Sequence, residues 1–208
     1  MQVIETNLQF RGNLTKRNAT VYIVLHHAAA SKCTIYDVHR WHLQREWLGC
    51  GYHYFCDKKG LVYQGRPRDV IGAHALGYNH CSVGICAEGH YEQEQMPNEQ
   101  KYAIANLLIE LKKIYPQAKI VAHKDLNPTK CPGKYFPMEE ILAIVTSPVA
   151  RFKDVQNHWA RTSIERIAQL GLLGPCGENV FEPDRPVTRA EFAVALDRLL
   201  ELLKNLGR

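Results

Sequence analysis

Residues 20–26 read TVYIVLH, an apolar run that is rich in β-branched side chains and ends at His26. Such a short run is typical of a buried β-strand. A second run, KIVA at residues 119–122, ends in the same way at His123. If both strands belong to one sheet, their ends can lie on one rim. The two runs therefore predict the framework of a fold and bring two histidines together.

The segments around these two strands alternate between helical and extended patterns. Thr34 is placed to cap the first predicted helix, and Pro116 terminates the second. The predicted elements are a helix over 34–47, a hairpin with strands at 52–56 and 61–64, a strand over 82–87, a helix that begins near 97–98, and a helix over 138–145. We therefore expect an α/β fold with a central mixed β-sheet flanked by helices.

A change of pattern near Pro148 divides the chain. Thr146-Ser147-Pro148 interrupts the helical pattern, and two helical stretches follow over residues 159–170 and 188–203, with a Gly/Pro-rich loop between them. We expect two domains, 1–147 and 148–208, of which the second is small and all-α.

Composition excludes several classes of protein. With 46% hydrophobic and 23% charged residues, the 208-residue chain is typical of a globular protein. A net charge of +5 without a run of basic residues disfavours nucleic-acid binding. No apolar stretch approaches the roughly 20 residues that cross a bilayer, so we expect no membrane insertion. The amino terminus lacks the pattern of a secretory signal, which predicts synthesis in the cytoplasm without a signal peptide.

The cysteines do not form a disulfide framework, because seven of them are spread through a chain of this size. Cys131 stands apart because it lies eight residues after His123, in a loop with two prolines. Histidine nitrogen and cysteine thiolate are good zinc donors, and catalytic zinc keeps three protein ligands and one open position. His26, His123 and Cys131 are therefore a candidate catalytic zinc site.

The residues by themselves leave other ligand sets open. The chain has 10 histidines, and a single histidine is more often a hydrogen-bonded structural residue than a metal ligand. The competing ligands are His27, His39, His42, His53, His74, His80 and His90.

Four separated motifs occur in a characteristic order. They are VLHH at 24–27, GYHY at 51–54, GAHALGYN at 72–79, and the segment from His123 through Cys131-Pro132-Gly133. Together they resemble the zinc amidase family of phage lysozymes and peptidoglycan recognition proteins, over roughly residues 18–145.

The resemblance implies a role for each matching residue. His26, His123 and Cys131 bind one zinc ion, and Tyr52 stands beside the metal site. Thr129 occupies a further catalytic position of the family, two residues before the cysteine, whereas Lys130 lies one place too late for it. His74 and Asn79 line the substrate groove.

The resemblance also implies a reaction. The family hydrolyses the amide between N-acetylmuramic acid and the L-alanine of the peptidoglycan stem peptide. Phage enzymes of this kind act on the wall after release through membrane holes, so an endolysin is expected. Three alternatives remain: a non-catalytic peptidoglycan-binding protein, a structural surface-layer protein, and an enzyme that cleaves another bond.

Residues 152–200 resemble a single surface-layer homology (SLH) module. FKDV at 152–155, HWA at 158–160 and TRAEF at 188–192 carry the resemblance. It implies binding of secondary cell-wall polysaccharide by Arg189 and Glu191, and guanidinium suits acidic groups. Thr188 and Glu191 also match a helix capping box. Because anchored proteins usually carry three such modules, a lone module is also compatible with a homo-oligomer.

Overall fold

The computed structural model describes residues 3–146, 152–177 and 180–206. The chain divides into two compact units, Met1–Val145 and Thr146–Arg208. Residue 148, where we expect the boundary, lies outside the described residues. None of the described helices is both long and apolar enough to cross a membrane.

The helices and strands follow the order expected from the sequence. Along the chain they are β1 (Tyr22–His27), α1 (Ile35–Gln44), β2 (Tyr54–Cys56), β3 (Val62–Gln64), β4 (Ser82–Ala87), α2 (Asn98–Ile114), β5 (Lys119–Ala122), α3 (Met138–Thr146), α4 (Arg161–Gln169) and α5 (Arg189–Leu206). Short 3-10 turns occupy Asn79–Cys81 and His123–Asp125.

The five strands form one sheet in the order β3-β2-β4-β1-β5. β1 lies between β4 and β5 and runs parallel to both, β2 runs parallel to β4, and β2 and β3 form an antiparallel hairpin. The expected mixed sheet is confirmed. Since β1 is central and its residues 23–27 are all buried, a near-continuous apolar run is what such a strand requires.

Helices cover both faces of the sheet. On one face, Leu108 of α2 and Ile141 of α3 belong to the same buried cluster as Leu25 of β1. On the other face, Val38 of α1 belongs to a second cluster with Cys86 of β4. Successive residues of a strand point to opposite faces. His26 therefore points away from the face that Leu25 packs against.

Helix α1 begins as predicted and ends earlier than predicted. The Thr34 hydroxyl accepts from the Asp37 amide at 3.2 Å, and the Asp37 carboxylate accepts from the Thr34 amide at 2.9 Å, which forms a capping box. The helix stops at Gln44 rather than Trp47. Glu46 has a φ of 63°, a left-handed conformation that a helix cannot continue through.

The second unit has its own small core. Phe152, Val155 and Ile164 are buried together. The Asp154 carboxylate accepts hydrogen bonds from the amides of Phe181 and Glu182 and so holds the loop before α5. Helix α4 begins at Arg161, two residues later than predicted at Trp159, because Nδ1 of His158 accepts from the Ala160 amide in a preceding turn.

Candidate metal centre

The pairing of β1 with β5 brings two histidines together. Leu25 is the partner of Ala122 in the parallel register, so the next residue of each strand, His26 and His123, emerges at the same end of the sheet. Their ring centroids are 4.4 Å apart. The two strands therefore end at one rim of the sheet, as expected from residues 20–26 and 119–122.

Cys131 reaches the same place because the loop after β5 folds back. The Lys124 amide donates to the Cys131 carbonyl at 2.9 Å. The Cys131 Sγ lies 3.8 Å from Nδ1 of His26, and the ligand atoms of His26, His123 and Cys131 all lie within 4.8 Å of one another. Across the part of the chain that the structure describes, no other group of three His, Cys, Asp or Glu side chains meets this spacing.

The donor set fits zinc. Tetrahedral coordination with the usual Zn–N and Zn–S bond lengths places the nitrogen and sulfur about 3.6 Å apart, close to the 3.8 Å between His26 Nδ1 and Cys131 Sγ. Two imidazoles and one thiolate leave a fourth position open, as in catalytic zinc sites. The absence of a carboxylate from this trio disfavours Mg²⁺ and Ca²⁺, which take oxygen ligands.

Burial keeps these ligands neutral in the bare protein. Desolvation, and then the neighbouring His123 and His27, lower the pKa of His26 well below its usual value, and desolvation also lowers the pKa of His123. Desolvation raises the pKa of the Cys131 thiol to about 12, although the backbone N–H of His27 opposes this shift. A divalent cation supplies the positive charge that turns such a thiol into a thiolate ligand.

Tyr52 lies beside the first of these ligands. Its ring centroid is 5.0 Å from that of His26. Desolvation, followed by the nearby thiols of Cys86 and Cys131, raises the pKa of Tyr52 well above its usual value. The phenol therefore stays protonated, and it hydrogen-bonds the side chain of Cys86, the β4 residue that is paired with His26.

Thr129 lies at the exposed end of the same loop. Its hydroxyl oxygen accepts a hydrogen bond from the Cys131 amide at 3.2 Å. Lys130, the next residue, is also exposed. This hydrogen bond holds the Thr129 side chain against the backbone of the loop that carries Cys131.

His74 and Asn79 both contact the protein itself. His74 is buried, and its Nδ1 lies 3.0 Å from Nε2 of His26. The Asn79 side-chain oxygen accepts from the amides of His74 at 2.7 Å and Ala75 at 2.9 Å. These bonds fix the loop before β4, while direct contact of either side chain with substrate stays a prediction.

Most of the competing histidines hold other parts of the backbone. His27 accepts from the Tyr91 amide, His42 from the Gly51 amide and His53 from the Gly84 amide, and His39 accepts from the Cys50 amide. None of these four belongs to the metal-spaced trio, which contains only His26, His123 and Cys131 among the described residues.

Two side chains that contact histidines of this site, Asn127 and Ser82, were not identified from the sequence. Asn127 Oδ1 lies 3.1 Å from Nε2 of His123, and Asn127 Nδ2 donates to the Leu76 carbonyl at 3.0 Å, which fixes the orientation of the amide. Ser82 lies 3.4 Å from Nε2 of His74. The four-residue spacing from His123 to Asn127 was an available signal, whereas Ser82 is adjacent only through the sheet.

In the second unit, Arg189 and Glu191 lie in the first turn of α5. The Glu191 carboxylate accepts from the Thr188 amide at 2.8 Å and from the Arg185 guanidinium at 2.5 Å, and the Glu191 amide donates to the Thr188 hydroxyl at 3.1 Å. The capping box is therefore formed. Arg189 is exposed, and the adjacent groove of about 890 Å³ is lined by residues that include Trp159, Leu172 and Val194.

Two family models match the chain. Residues 16–134 match the model described as N-acetylmuramoyl-L-alanine amidase, and residues 151–193 match the S-layer homology domain. The endolysin of Klebsiella phage KP32 is 37% identical over 128 residues, which cover 57% of this chain and 84% of the endolysin. Peptidoglycan-recognition protein LB of Drosophila melanogaster is 33% identical over 125 residues, or 54% of each chain.

Solved structures give the same assignment. The N-acetylmuramoyl-L-alanine amidase LysC from Clostridium intestinale superposes with a TM-score of 0.67 at 34% identity, covering 69% of this chain and 96% of LysC. The Ph2119 endolysin of a Thermus scotoductus bacteriophage superposes with a TM-score of 0.61 at 26% identity, covering 69% of this chain and 99% of the endolysin. The expected resemblance is confirmed: through residues 16–134 the chain belongs to the N-acetylmuramoyl-L-alanine amidase family, and it carries an S-layer homology domain after them.

Proposed function

We propose that the chain is a zinc-dependent N-acetylmuramoyl-L-alanine amidase that cuts the amide between N-acetylmuramic acid and the first L-alanine of bacterial peptidoglycan. Membership in the amidase family supports the reaction and its substrate. The observation that carries the zinc dependence is the convergence of His26, His123 and Cys131, whose ligand atoms lie within 4.8 Å of one another at one end of the sheet.

His26, His123 and Cys131 are the residues that hold the metal in this proposal. When bound, zinc activates water near neutral pH and polarises the scissile carbonyl as a Lewis acid. The protein contributes two neutral imidazoles and a thiol that sits against the His27 amide, a donor that stabilises negative charge on sulfur.

Two hydroxyl groups border the place where substrate binds in this proposal. We assign Tyr52 to donate a hydrogen bond to the oxygen of the scissile carbonyl, because its phenol is protonated and lies next to His26. Thr129 is assigned to the substrate as well, since its oxygen already accepts from the Cys131 amide and its hydrogen is left to donate outward. Donors of this kind each contribute about 3–4 kcal/mol to transition-state stabilisation in hydrolases.

The metal dependence is tested by removing zinc and restoring it. Treatment with a strong chelator should stop the loss of turbidity of purified sacculi, and one equivalent of zinc per chain should restore it. Turbidity loss that persists in metal-free protein would contradict the proposal.

The rival function is peptidoglycan binding without cleavage. Co-sedimentation and turbidity, measured on the same sacculi, distinguish it from hydrolysis. A binding protein co-sediments with sacculi but leaves their turbidity unchanged. The complete His/His/Cys trio and the neighbouring Tyr52 favour the enzyme.

The second unit carries an apolar stripe on α5 that favours association with a second copy of the chain. Its residues are 39–56% exposed, and four of them recur at intervals of four, three and four positions: Phe192, Leu196, Leu199, Leu200 and Leu203. This is the spacing of a coiled-coil seam. A different face of the helix is turned to its own unit, where Arg198 donates to the Gly171 carbonyl at 2.9 Å. We propose that residues 148–208 form a self-associating module.

Binding of a secondary cell-wall polysaccharide is the second candidate role for this module. Arg189 is exposed and has a guanidinium suited to acidic sugars. Glu191 is already held by Arg185 and Thr188, so it contributes by ordering this end of α5.

We propose that the enzyme acts at the bacterial wall as an endolysin, in line with its phage relatives.

A further inference from the structure

A chain of hydrogen bonds behind His26 decides which of its nitrogens carries the hydrogen. The Ser82 hydroxyl donates to the Tyr78 carbonyl at 2.7 Å. Its oxygen is therefore left to accept from Nε2 of His74, which lies 3.4 Å away. A neutral imidazole that donates through Nε2 has its lone pair on Nδ1.

The lone pair on His74 Nδ1 faces His26. The two atoms His74 Nδ1 and His26 Nε2 are 3.0 Å apart, and both rings are buried. Because His74 Nδ1 accepts, His26 must donate through Nε2–H. The remaining lone pair of His26 is then on Nδ1, the nitrogen that lies 3.8 Å from the Cys131 Sγ.

The fold provides a slot for the His74 ring that only glycine neighbours allow. A Cβ atom on Gly72 or on Gly84 would lie 2.5 Å from the His74 Cδ2 atom, well inside van der Waals contact. The backbone amide of His74 donates to the Asn79 side-chain oxygen. Ring and backbone are therefore held in one position, as a residue that orients another must be.

We propose that His74, oriented by Ser82, is a positioning residue that keeps the hydrogen of His26 on Nε2 and so directs Nδ1 of His26 to the metal. The inference rests on the proposed zinc site and assigns His74 a place behind a ligand instead of in the substrate groove. Outer partners of this kind typically contribute 10- to 100-fold to metal affinity.

Three variants of the full chain separate the hydrogen bond from the bulk of the ring. His74→Leu removes the acceptor, whereas His74→Asn places an amide oxygen near the position of Nδ1. Ser82→Ala removes the acceptor for His74 Nε2–H. Zinc dissociation constants are measured by competition with a fluorescent chelator, and thermal unfolding of the zinc-free proteins checks that the fold is kept.

We expect roughly 10- to 100-fold weaker zinc binding for His74→Leu, a smaller loss for Ser82→Ala, and most of the affinity retained in His74→Asn. Equal affinity of wild type and His74→Leu, or equal losses in His74→Leu and His74→Asn, would overturn the inference. A wild type that binds no zinc would instead overturn the proposed function.

A spectroscopic measurement tests the inference on the wild-type chain alone and so does not depend on whether a variant folds. Long-range ¹H–¹⁵N correlation spectra of the zinc-free chain report the tautomer of each neutral histidine. We expect His26 to carry its hydrogen on Nε2 and His74 on Nε2. A hydrogen on Nδ1 of His26 would overturn the inference even if the zinc affinities follow the expected order.

Discussion

At the scale of single residues, the two histidines of the candidate site share one arrangement. His123 places Nε2 against the Asn127 side-chain oxygen at 3.1 Å, and His26 places Nε2 against His74 at 3.0 Å. An amide oxygen only accepts, so His123 also keeps a lone pair on Nδ1. Each imidazole therefore has one nitrogen engaged by the protein and the other available to a metal.

Replacement of Cys131 by serine should abolish both zinc retention and lysis of sacculi. A serine hydroxyl is far harder to ionise than a thiol and is a poor zinc ligand, so only His26 and His123 would remain. Zinc content after gel filtration and turbidity loss measure the two effects, and circular dichroism checks the fold. A folded Cys131→Ser protein with full lytic activity would rule out the metal assignment.

Tyr52→Phe should keep zinc and lose turnover, because it removes one hydroxyl and leaves the ring against His26. We expect kcat to fall roughly 10²- to 10³-fold, the range found when one donor to the developing oxyanion is removed. Steady-state kinetics on a soluble muropeptide measure kcat. An unchanged kcat at full zinc occupancy would exclude Tyr52 from the reaction.

At the scale of strands and helices, the order of elements and the sheet were predictable because their apolar patterns are strong. β4 and β5 have the predicted bounds, because each coincides with a short, mainly apolar run of the sequence. The end of α1 was not predictable, because it depends on the left-handed backbone at Glu46.

The candidate site was only partly predictable from the sequence. Motifs select His26, His123 and Cys131, whereas the contact of Ser82 with His74 arises where a loop meets β4. Residue patterns within one segment carry no record of such contacts between segments.

Two buried histidines of the amidase unit, His53 and His42, should make its free energy of unfolding depend on pH. Desolvation lowers the pKa of His53 to about 3 and that of His42 on α1 to about 4. Their unfolded-state pKa is about 6.5, so between pH 6.5 and 3 the unfolded chain binds more protons. The free energy of unfolding should therefore fall as the pH drops through this window.

Denaturant unfolding of the zinc-free protein at a series of pH values measures this slope. His53→Asn keeps an acceptor for the Gly84 amide and removes one titrating group, so its slope should be smaller than that of the wild type. An identical slope in the two proteins would show that His53 does not contribute.

At the scale of the whole molecule, self-association is the consequence of the apolar stripe on α5. Exposed apolar patches of this kind mark interaction surfaces. We expect the full chain to be oligomeric and the double variant Leu196→Ser, Leu203→Ser to be monomeric, because both leucines are in the seam. Sedimentation velocity measures the state, and Asp197→Ser, an exposed change on another side of α5, is the matched control. A monomeric wild type would contradict the proposed role of the module.

The products of digested sacculi identify the bond that the enzyme cuts. Mass spectrometry of the soluble fraction from zinc-loaded protein should show stem peptides that begin with a free L-alanine amino group, together with glycan that has lost its peptides. Muropeptides in which the stem peptide is still joined to N-acetylmuramic acid, or a soluble fraction without peptides, would contradict the account.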